Sequence, residues 1–349
     1  MRIAFILDDV ATEDERYTSM MLAHTMHNSG HEVLLSDVRN LAYYPDGHMG
    51  VKVRRAPKKT YKTQQEYVAD VKSDKAITEK IMAPDLDVLL IRNDPSAAPA
   101  SEPWAQIPGV VFGQIATQDG VIVLNDPFTL SDSVNKMYFQ QFPEDVRPKA
   151  LITRDPQEIK EFYKENKDKG IVIKPLQGSG GKGVFLVNEE SAANLNSMIE
   201  ADLRDGYIIA QEYIPEAAKG DIRLFMVNGE IFECDGKVAA IHRFNASGDA
   251  RSNISAGGSV KKAKITDRIR EITERVRPKL VKDGVFIVGL DIAGDKLLET
   301  NIFSPGGLTT ASEIEEVNFS EGLMRAIERK VEYRKRYGQT ITNKFLNTL

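Results

Sequence analysis

Cysteine is nearly absent from this sequence: Cys234 is the only one among 349 residues. A single cysteine excludes an internal disulfide and a cysteine-rich metal centre, and Cys234 is expected to be a small buried side chain rather than a nucleophile. No apolar run approaches the ~20 residues that a membrane-spanning helix requires. The N-terminal "MRIAFILDD" enters a strand at once, with no small-residue cleavage site. We therefore expect a cytoplasmic protein with no membrane partner.

An excess of one charge is also missing. The 46 lysines and arginines against 51 aspartates and glutamates give a net charge of -5, which creates no general field for nucleic acid, so no nucleic-acid partner is expected. A hydrophobic content of 42% and a charged content of 28% are typical of globular proteins and argue against disorder. A chain of this length is too long for a single hydrophobic core, so we expect about two or three lobes, each with its own core.

The first strand lacks the glycine fingerprint that a dinucleotide-binding fold requires. Arg2 to Leu7 is predicted to be a buried strand, Ser19 to Ser29 a helix and His31 to Ser36 a second strand, which is a βαβ opening. The turn after the first strand, Asp8 to Glu13, contains no glycine. The sequence therefore predicts an α/β lobe that is not an NAD site.

Further elements follow from periodicity and turn residues. Two apolar strands end in charged turns, Arg92-Asn93-Asp94-Pro95 and Asn125-Asp126-Pro127, at the position where α/β sheets bind ligands. The charged segment from Ser320 is predicted to be a helix with a solvated face. The other predicted elements are a hairpin within 41–53, a helix over 63–82, a helix over 130–139 that carries Lys136, a helix over 156–165, a helix over 190–203, a strand over 207–213, hairpins at Asn228-Gly229 and Gly294-Asp295, and an amphipathic helix ending at Gly284.

A glycine run, "KPLQGSGGKGVF", lies between two strands. Its glycines fit the spacing of phosphate-binding loops that open a helix, but an apolar strand follows here. Unhindered N–H groups in such a loop can bind phosphate oxygens, with Lys182 or Lys174 adding charge. The alternatives are a bare hairpin connection and a Lys174 that extends to solvent. Residue types alone leave both alternatives open.

Three oxygen-bearing side chains occupy the last hairpin. Glu299 and Asn301 are two residues apart and share one face of a strand, and the Gly294-Asp295 turn brings Asp291 opposite them. Carboxylate and amide oxygens suit a hard cation such as Mg²⁺. A polar face on an edge hairpin explains the same pattern, so spacing alone does not decide between a metal site and a solvated face.

The order of these features, more than any one of them, resembles a known superfamily. The segments "RNDP", "VLNDPFTLSDSVNKMYF", "IKPLQGSGGKGVF", "AQEYIP", "GDIRLFMVNGE", "ARSNISAGG" and "FIVGLDIAGDKLLETNIFSP" occur in one order. The chain is similar to the ATP-grasp superfamily and, over nearly its whole length, to bacterial-type glutathione synthetases. The resemblance implies an α/β fold, α+β in the ATP-binding part, with an N-terminal substrate domain (1–125), a lid subdomain with the glycine loop (126–211) and a C-terminal subdomain with the metal hairpin (212–349).

The resemblance also implies roles for individual residues where the motifs match. Arg223, Arg251 and Asn253 would face the transferred phosphate and the substrate carboxylate, and Asp221 would lie near the ribose. Arg92, Asp94 and Ser304 would line the substrate site. The ATP contacts would come from Lys136, Lys174, Gly178, Gly180, Gly181, Lys182, Gly183, Gln211, Glu212, Tyr213 and Ile214, and the Mg²⁺ ligands, with Mn²⁺ as an alternative ion, would be Asp291, Glu299 and Asn301.

The implied reaction joins a carboxylate to an amine. The γ-phosphoryl group of ATP moves to the carboxylate of γ-glutamylcysteine, and glycine displaces phosphate from the acyl phosphate; a homo-oligomer is expected. Three departures from the family pattern affect the substrate side: Asn93 replaces a lysine, Gln177 an aspartate and Gly306 a threonine, whose hydroxyl would be missing or supplied by Thr309 or Thr310. They keep a second hypothesis open, a ligase with another amine acceptor, such as one modifying a peptide or ribosomal protein S6.

Overall fold

The computed structural model describes residues 1–178, 183–244 and 258–349. The N-terminal part is an α/β layer structure. Its elements are strands β1 (Arg2–Leu7), β2 (Glu32–Asp37), β3 (Leu41–Tyr43), β4 (Met49–Arg55), β5 (Ile77–Met82), β6 (Val88–Ile91) and β7 (Ile122–Leu124), and helices α1 (Thr18–Asn28), α2 (Gln64–Lys72) and α3 (Pro108–Gln118). The strand order is β3-β4-β2-β1-β6-β7, and β5 pairs with β4.

The centre of this sheet is parallel. β1 pairs in parallel with both β2 and β6, and β6 pairs in parallel with β7. Helices cover both faces of such strands, so their side chains form continuous apolar runs, as in "IAFIL" of β1, where every side chain from Ile3 to Leu7 is buried. The carboxyl ends of β1 and β6 lie side by side at Asp8 and Arg92. The predicted βαβ opening is confirmed.

The predicted helix over 63–82 is only half correct. Thr63 is the N-cap of α2, because its hydroxyl accepts from the amide of Glu66 (3.2 Å), and the helix starts as expected. The helix stops at Lys72, and Ile77–Met82 forms β5, antiparallel to β4. β-branched Ile77, Thr78 and Ile81 favour the strand once β4 offers an edge, so tertiary pairing overrides the helical periodicity here.

The helix that was predicted to carry Lys136 also ends early. Helix α4 (Pro127–Asp132) begins at the Asp126 cap and stops before Ser133. Lys136 lies in the following turn, because its amide donates to the carbonyl of Leu176 (3.1 Å) rather than to a helical carbonyl. This bond ties the lysine to the strand that precedes the glycine loop.

A small antiparallel sheet with its own core follows. It comprises β8 (Ala150–Thr153), β9 (Ile171–Pro175), β10 (Phe185–Val187) and β11 (Ile208–Glu212), in the order β10-β9-β11-β8, with helices α5 (Pro156–Glu165) and α6 (Leu195–Leu203). The predicted helix over 190–203 begins later, since a short 3-10 turn occupies 192–194. Its buried residues, such as Ile159, Ile173 and Ile208, form a cluster separate from the rest of the described core.

The C-terminal part contains the hairpin predicted to bind metal. Its strands are β12 (Asp221–Val227), β13 (Glu230–Ile231), β14 (Glu233–Cys234), β15 (Lys237–Val238), β16 (Ala240–Phe244), β17 (Ser259–Lys262), β18 (Ile287–Ala293) and β19 (Lys296–Asn301). The main order is β17-β16-β12-β18-β19. Its helices are α7 (Asp267–Asp283), α8 (Leu308–Glu315), α9 (Phe319–Tyr337) and α10 (Asn343–Leu346).

The turn predictions in this part are confirmed. Asn228 and Gly229 have φ of 55° and 78°, the left-handed pair that a tight hairpin requires. α7 ends at Gly284, whose left-handed φ of 69° caps the helix. Buried residues of the N-terminal and C-terminal sheets belong to shared clusters, as Phe5 and Phe225 do. Within the described ranges, no helix combines the length and apolarity needed to cross a membrane.

Candidate active site

Two lysines converge on the glycine loop from opposite elements. The Lys136 ammonium donates to the carbonyl of Gly178 at the start of the loop. Lys174 lies on β9, where its backbone pairs with Ile209 of β11. Burial lowers the pKa of Lys174 to about 8, Glu299 opposes the shift and Lys136 adds to it. The two lysines therefore share one electrostatic environment with the carboxylates of the last hairpin.

That hairpin has the predicted register. Asp291 on β18 lies directly opposite Glu299 on β19, and Gly289 lies opposite Asn301. The Asn301 amide is 3.4 Å from Oδ2 of Asp291, so the three side chains meet on one face. Glu299 and Asn301 are half-buried, whereas Asp291 is buried. The local spacing of the three residues was sufficient to predict this cluster.

Asp291 belongs to a buried network of arginines and carboxylates. Arg223 binds it through two nitrogens, with Nη2 to Oδ2 at 2.9 Å, and Arg243 Nη2 lies 2.8 Å from the same oxygen. Arg243 also donates to both oxygens of Asp221 (2.7 and 2.9 Å). Burial alone would raise the pKa of Asp291, but Arg223 and Arg243 hold it well below its usual range. Asp221 thus contacts an arginine that sequence reasoning missed.

The donor set of the hairpin suits a hard cation. Two carboxylates and an amide oxygen on one face are ligands that Mg²⁺ accepts, with phosphate oxygens and water completing the shell. Among the described residues, no three His, Cys, Asp or Glu side chains are grouped to hold a metal, so the protein would supply only part of the coordination. Because both oxygens of Asp291 accept from Arg223, a bound cation would share that carboxylate with the arginine.

The predicted hinge, Gln211 to Ile214, comprises the last two residues of β11 and the two residues after it. Gln211 is buried within the strand, and Ile214 is buried before Pro215. The amides of Glu212 and Tyr213 donate to the carbonyls of Lys149 (2.9 Å) and Gly170 (3.2 Å). Recognition of adenine would therefore fall to hinge groups other than these two amides.

The N-terminal sheet contributes residues to the same cleft. Asp94 and Ser304 line a cavity together with Lys136, Glu299 and Asn301. Arg92 is buried, and its nitrogens reach Oγ of Ser19 (3.0 Å) and the carbonyls of Phe303 (3.5 Å) and Pro305 (3.3 Å). Arg92 therefore spans the junction between the N-terminal sheet and the segment after the metal hairpin.

The three departures from the family pattern lie in different environments. Asn93 is fully buried, and a Cβ on Gly109 would lie 2.3 Å from its Oδ1, so this substitution is in the interior. Gly306 is exposed and its carbonyl accepts from Arg223 (3.0 Å). Gln177 is exposed and lines the cavity. The hydroxyl of Thr309 on α8 is buried and has no hydrogen-bond partner within residues 1–178, 183–244 and 258–349.

Part of the predicted site lies outside the described residues: Gly180, Gly181 and Lys182 of the loop, and Arg251 and Asn253. The flanking glycines are described. Gly178 has φ of 125° and Gly183 has φ of 68°, where a Cβ would lie 2.9 Å from Oδ1 of Asp202. Side chains at these two positions would be strained, which explains the need for glycine.

The fold and this clustering define the class of protein. The solved structure of the ATP-grasp ligase PsnB superimposes with a TM-score of 0.60 at 14% identity, over 94% of this chain and 98% of that chain. Residues 135–318 match the family model described as prokaryotic glutathione synthetase, ATP-grasp domain. The protein has the ATP-grasp fold, uses ATP and is a ligase that forms C–N bonds.

The particular family follows from the rest of the chain. Residues 1–130 match the model of the prokaryotic glutathione synthetase N-terminal domain. The glutathione synthetase of Brucella melitensis is 34% identical over 268 residues, covering 75% of this chain and 81% of the relative. That of Synechococcus elongatus is 29% identical over 338 residues, covering 95% and 99%. The chain belongs to the prokaryotic glutathione synthetase family, which acts on small-molecule substrates.

Proposed function

We propose that this protein synthesises glutathione from γ-glutamylcysteine and glycine with ATP, releasing ADP and phosphate. The observation that carries the proposal is family membership across both matched regions, 1–130 and 135–318. Two features support it: Lys136 and Glu299 line one cavity, and the charges of Lys136, Glu299 and Asp291 act on buried Lys174. Phosphoryl transfer chiefly requires such positioning and charge neutralisation.

In the first step, an oxygen of the cysteinyl carboxylate attacks the γ-phosphorus, the bond to the β-phosphate oxygen breaks, and ADP leaves. Lys136 and Lys174 are assigned to the phosphate oxygens. Lys136 contacts the start of the glycine loop, and Lys174 lies within the electrostatic influence of the hairpin carboxylates. Gly178 and Gly183 are assigned to the loop that covers the phosphates, with Gly180, Gly181 and Lys182 between them. The hinge residues Gln211 to Ile214 are assigned to adenine.

Asp291, Glu299 and Asn301 are assigned to the divalent cation, Mg²⁺ with Mn²⁺ as an alternative. When bound, Mg²⁺ neutralises the β and γ phosphates and orients them for transfer. Arg223 keeps Asp291 ionised by its direct contact, so the carboxylate is available as a ligand without competition from a proton. Asp221 is buried and accepts hydrogen bonds from Arg243. Its position near the ribose is proposed from the family resemblance alone.

In the second step, the glycine amine attacks the acyl carbon, the tetrahedral adduct expels phosphate, and the amine loses a proton to give the amide. Arg223, with Arg251 and Asn253, is assigned to the oxygens that gain charge in this step. Arg92, Asp94 and Ser304 are assigned to the peptide substrate, which would place its reacting carboxylate beside Glu299. Water must be excluded while the acyl phosphate exists, and this role is proposed for the glycine loop (178–183) and the segment 242–258.

Omission of single components tests the proposal. Purified protein with Mg-ATP should release ADP only when γ-glutamylcysteine and an amine are both present, and a panel of amino acids should show glycine as the preferred amine. ADP release that is independent of γ-glutamylcysteine would refute glutathione synthesis. A preferred amine other than glycine would favour the alternative ligase, which the changes at Asn93 and Gly306 motivate. Cytoplasmic localisation, a homo-oligomer and the three subdomain boundaries remain predictions.

A further inference from the structure

The carboxyl ends of β1 and β6, the region called the crevice below, lie beside the nucleotide cleft, because Asp94 after β6 lines that cleft. In the N-terminal sheet, β2 follows on one side of β1 and β6 on the other, so the strand order reverses between β1 and β6. Open α/β sheets bind ligands at this reversal. Arg92, at the end of β6, reaches the carbonyls of Phe303 and Pro305, and Asp94 lines the same cavity as Lys136 and Glu299. Asp94 therefore places this end of the N-terminal sheet beside the cavity that Lys136 and Glu299 line.

Neither of two carboxylates in this crevice forms an ion pair with a described residue, although the charge of Arg92 acts on Glu13 and that of Arg39 on Asp8. Glu13 is only 9% exposed, and its Oε2 has no hydrogen-bond partner among the described residues. Lys72 donates to the carbonyl of Glu13 (2.8 Å), not to its carboxylate. Both oxygens of Asp8 accept from the single amide of Asp94 (3.1 Å each). A buried carboxylate without a partner is costly, so a contribution to stability does not account for this placement.

Burial raises the pKa of Glu13 to about 7, with Arg92 opposing the shift and Asp8 adding to it. Burial likewise raises the pKa of Asp8 to about 6. Both pKa values are shifted in the direction expected of buried carboxyl groups that no ion pair stabilises.

The other groups of the crevice fit an amino-acid head group. The hydroxyl of Thr18 is buried and has no hydrogen-bond partner in the part of the chain that the structure describes. Thr18 precedes Ser19, whose hydroxyl accepts a hydrogen bond from Arg92. Arg92 is a buried cation whose two carbonyl contacts, at 3.5 and 3.3 Å, are long. An unpaired buried acid and a weakly satisfied buried arginine at one crevice match the ammonium and the carboxylate on a single α-carbon.

We propose that Glu13, assisted by Asp8, binds the α-ammonium group of the γ-glutamyl residue while Arg92 faces its α-carboxylate. The inference rests on the proposed function and adds the orientation of the dipeptide. Its head group occupies the crevice between β1 and β6, and its cysteinyl carboxylate points to Lys136 and Glu299. Glu13 is thus a specificity-determining residue for the free amino group of the substrate.

The test compares γ-glutamylcysteine with glutaryl-cysteine, which lacks only the α-amino group. Wild-type enzyme should prefer γ-glutamylcysteine by roughly 100-fold in kcat/KM, the magnitude of a buried charged hydrogen bond. The variant E13Q should raise KM for γ-glutamylcysteine by roughly 10-fold or more and leave KM for glutaryl-cysteine and for ATP unchanged. D8N should have the same effect at smaller size. The matched control, E15Q in the same loop, should keep the wild-type preference.

The ratio between the two substrates is an internal control for folding, because a merely structural role of Glu13 would impair both substrates equally. An E13Q enzyme that keeps the wild-type preference overturns the inference and leaves glutathione synthesis intact. A wild-type enzyme that uses neither substrate with glycine and ATP overturns the proposed function itself. The two failures are therefore distinguishable.

Discussion

Arg223 on β12 lies directly opposite Asp291 on β18, and the two side chains form a buried two-nitrogen ion pair. Arg243 lies on β16, which pairs with the other edge of β12. It is a second cation at the carboxylate of Asp291 (2.8 Å), and it also binds Asp221. The ligand proposed for the metal is therefore fixed by the sheet before any metal or nucleotide arrives. Two predictions follow from this relationship.

Replacing Arg243 should destabilise the fold. The variant R243Q leaves Asp221 without its bidentate partner and Asp291 with one cation fewer, and breaking a buried pair costs about 3–5 kcal/mol of unfolding free energy. Urea unfolding followed by circular dichroism measures the change. The control R275Q breaks the exposed pair with Asp145 (2.9 Å) and should cost about 0–1 kcal/mol. Equal losses in the two variants would contradict the buried network.

Replacing Glu299 should impair catalysis without affecting the fold. E299Q removes one of the two hairpin carboxylates, so kcat should fall by ~100-fold, about 2.7 kcal/mol in the barrier. A titration of Mg²⁺ should show a higher half-saturating concentration and partial rescue at high metal. The control D295N changes the exposed turn of the same hairpin and should retain wild-type kcat. Unaltered metal dependence in E299Q would remove Glu299 from the metal site.

The affinity for γ-glutamylcysteine should depend on pH through Glu13. Burial raises the pKa of Glu13 to about 7, and the charged groups around it are Arg92, Lys72, Asp8 and Asp37. The carboxylate is ionised above pH 7 and neutral well below it, so KM for γ-glutamylcysteine should rise as pH falls from 7.5 to 5.5. Initial rates across this range measure the effect. E13Q should show a flatter profile; identical profiles would exclude Glu13 as the ammonium partner.

The stability of the fold should also depend on pH, through Lys330 on α9, which is a buried base. It is fully buried, donates to Oδ1 of Asn228 (2.7 Å) and to the carbonyl of Leu346 (3.0 Å), and burial lowers its pKa to about 7. Between this pKa and the unfolded value of 10.5, the unfolded chain binds more protons, so stability rises with pH. Relative to K330M, wild type should gain up to ~1.4 kcal/mol per pH unit above pH 7.

Below pH 7 the lysine is charged in both states and the difference between wild type and K330M should be constant. Urea midpoints at several pH values measure it. K335M, at an exposed position of the same helix, provides the control and should show no such trend. A difference that falls or stays flat above pH 7 would contradict a depressed pKa at Lys330.

The sequence predicted the hairpin of Asp291, Glu299 and Asn301 and its register because that information is local; its binding of a metal stays a prediction. Glu299 and Asn301 are two residues apart, and the Gly294-Asp295 turn alone determines that Asp291 faces Glu299. The central parallel strands were equally accessible, since burial on both faces produces unbroken apolar runs. Local signals failed where a distant partner decides the structure. Lys136 lies outside the helix predicted for it, and its amide donates to the carbonyl of the distant residue Leu176.

Arg243 and Glu13 could not be found from the sequence for the same reason. Arg243 faces Asp221 only through the β12–β16 register, and the chain between those strands makes a detour through β13, β14 and β15. Glu13 is one acid in a run of charged loop residues, and only burial without a partner separates it from Asp14 and Glu15. Pairing register and desolvation are tertiary properties that residue spacing does not encode.

The most direct test of the central claim follows oxygen from the substrate carboxylate. γ-Glutamylcysteine labelled with ¹⁸O in its cysteinyl carboxylate is incubated with the enzyme, Mg-ATP and glycine, and the products are analysed by mass spectrometry. An acyl phosphate passes one carboxylate oxygen to phosphate and keeps the other in the amide. The account predicts glutathione with one ¹⁸O and phosphate with one ¹⁸O. Absence of glutathione, or unlabelled phosphate alongside it, would contradict carboxylate activation by ATP.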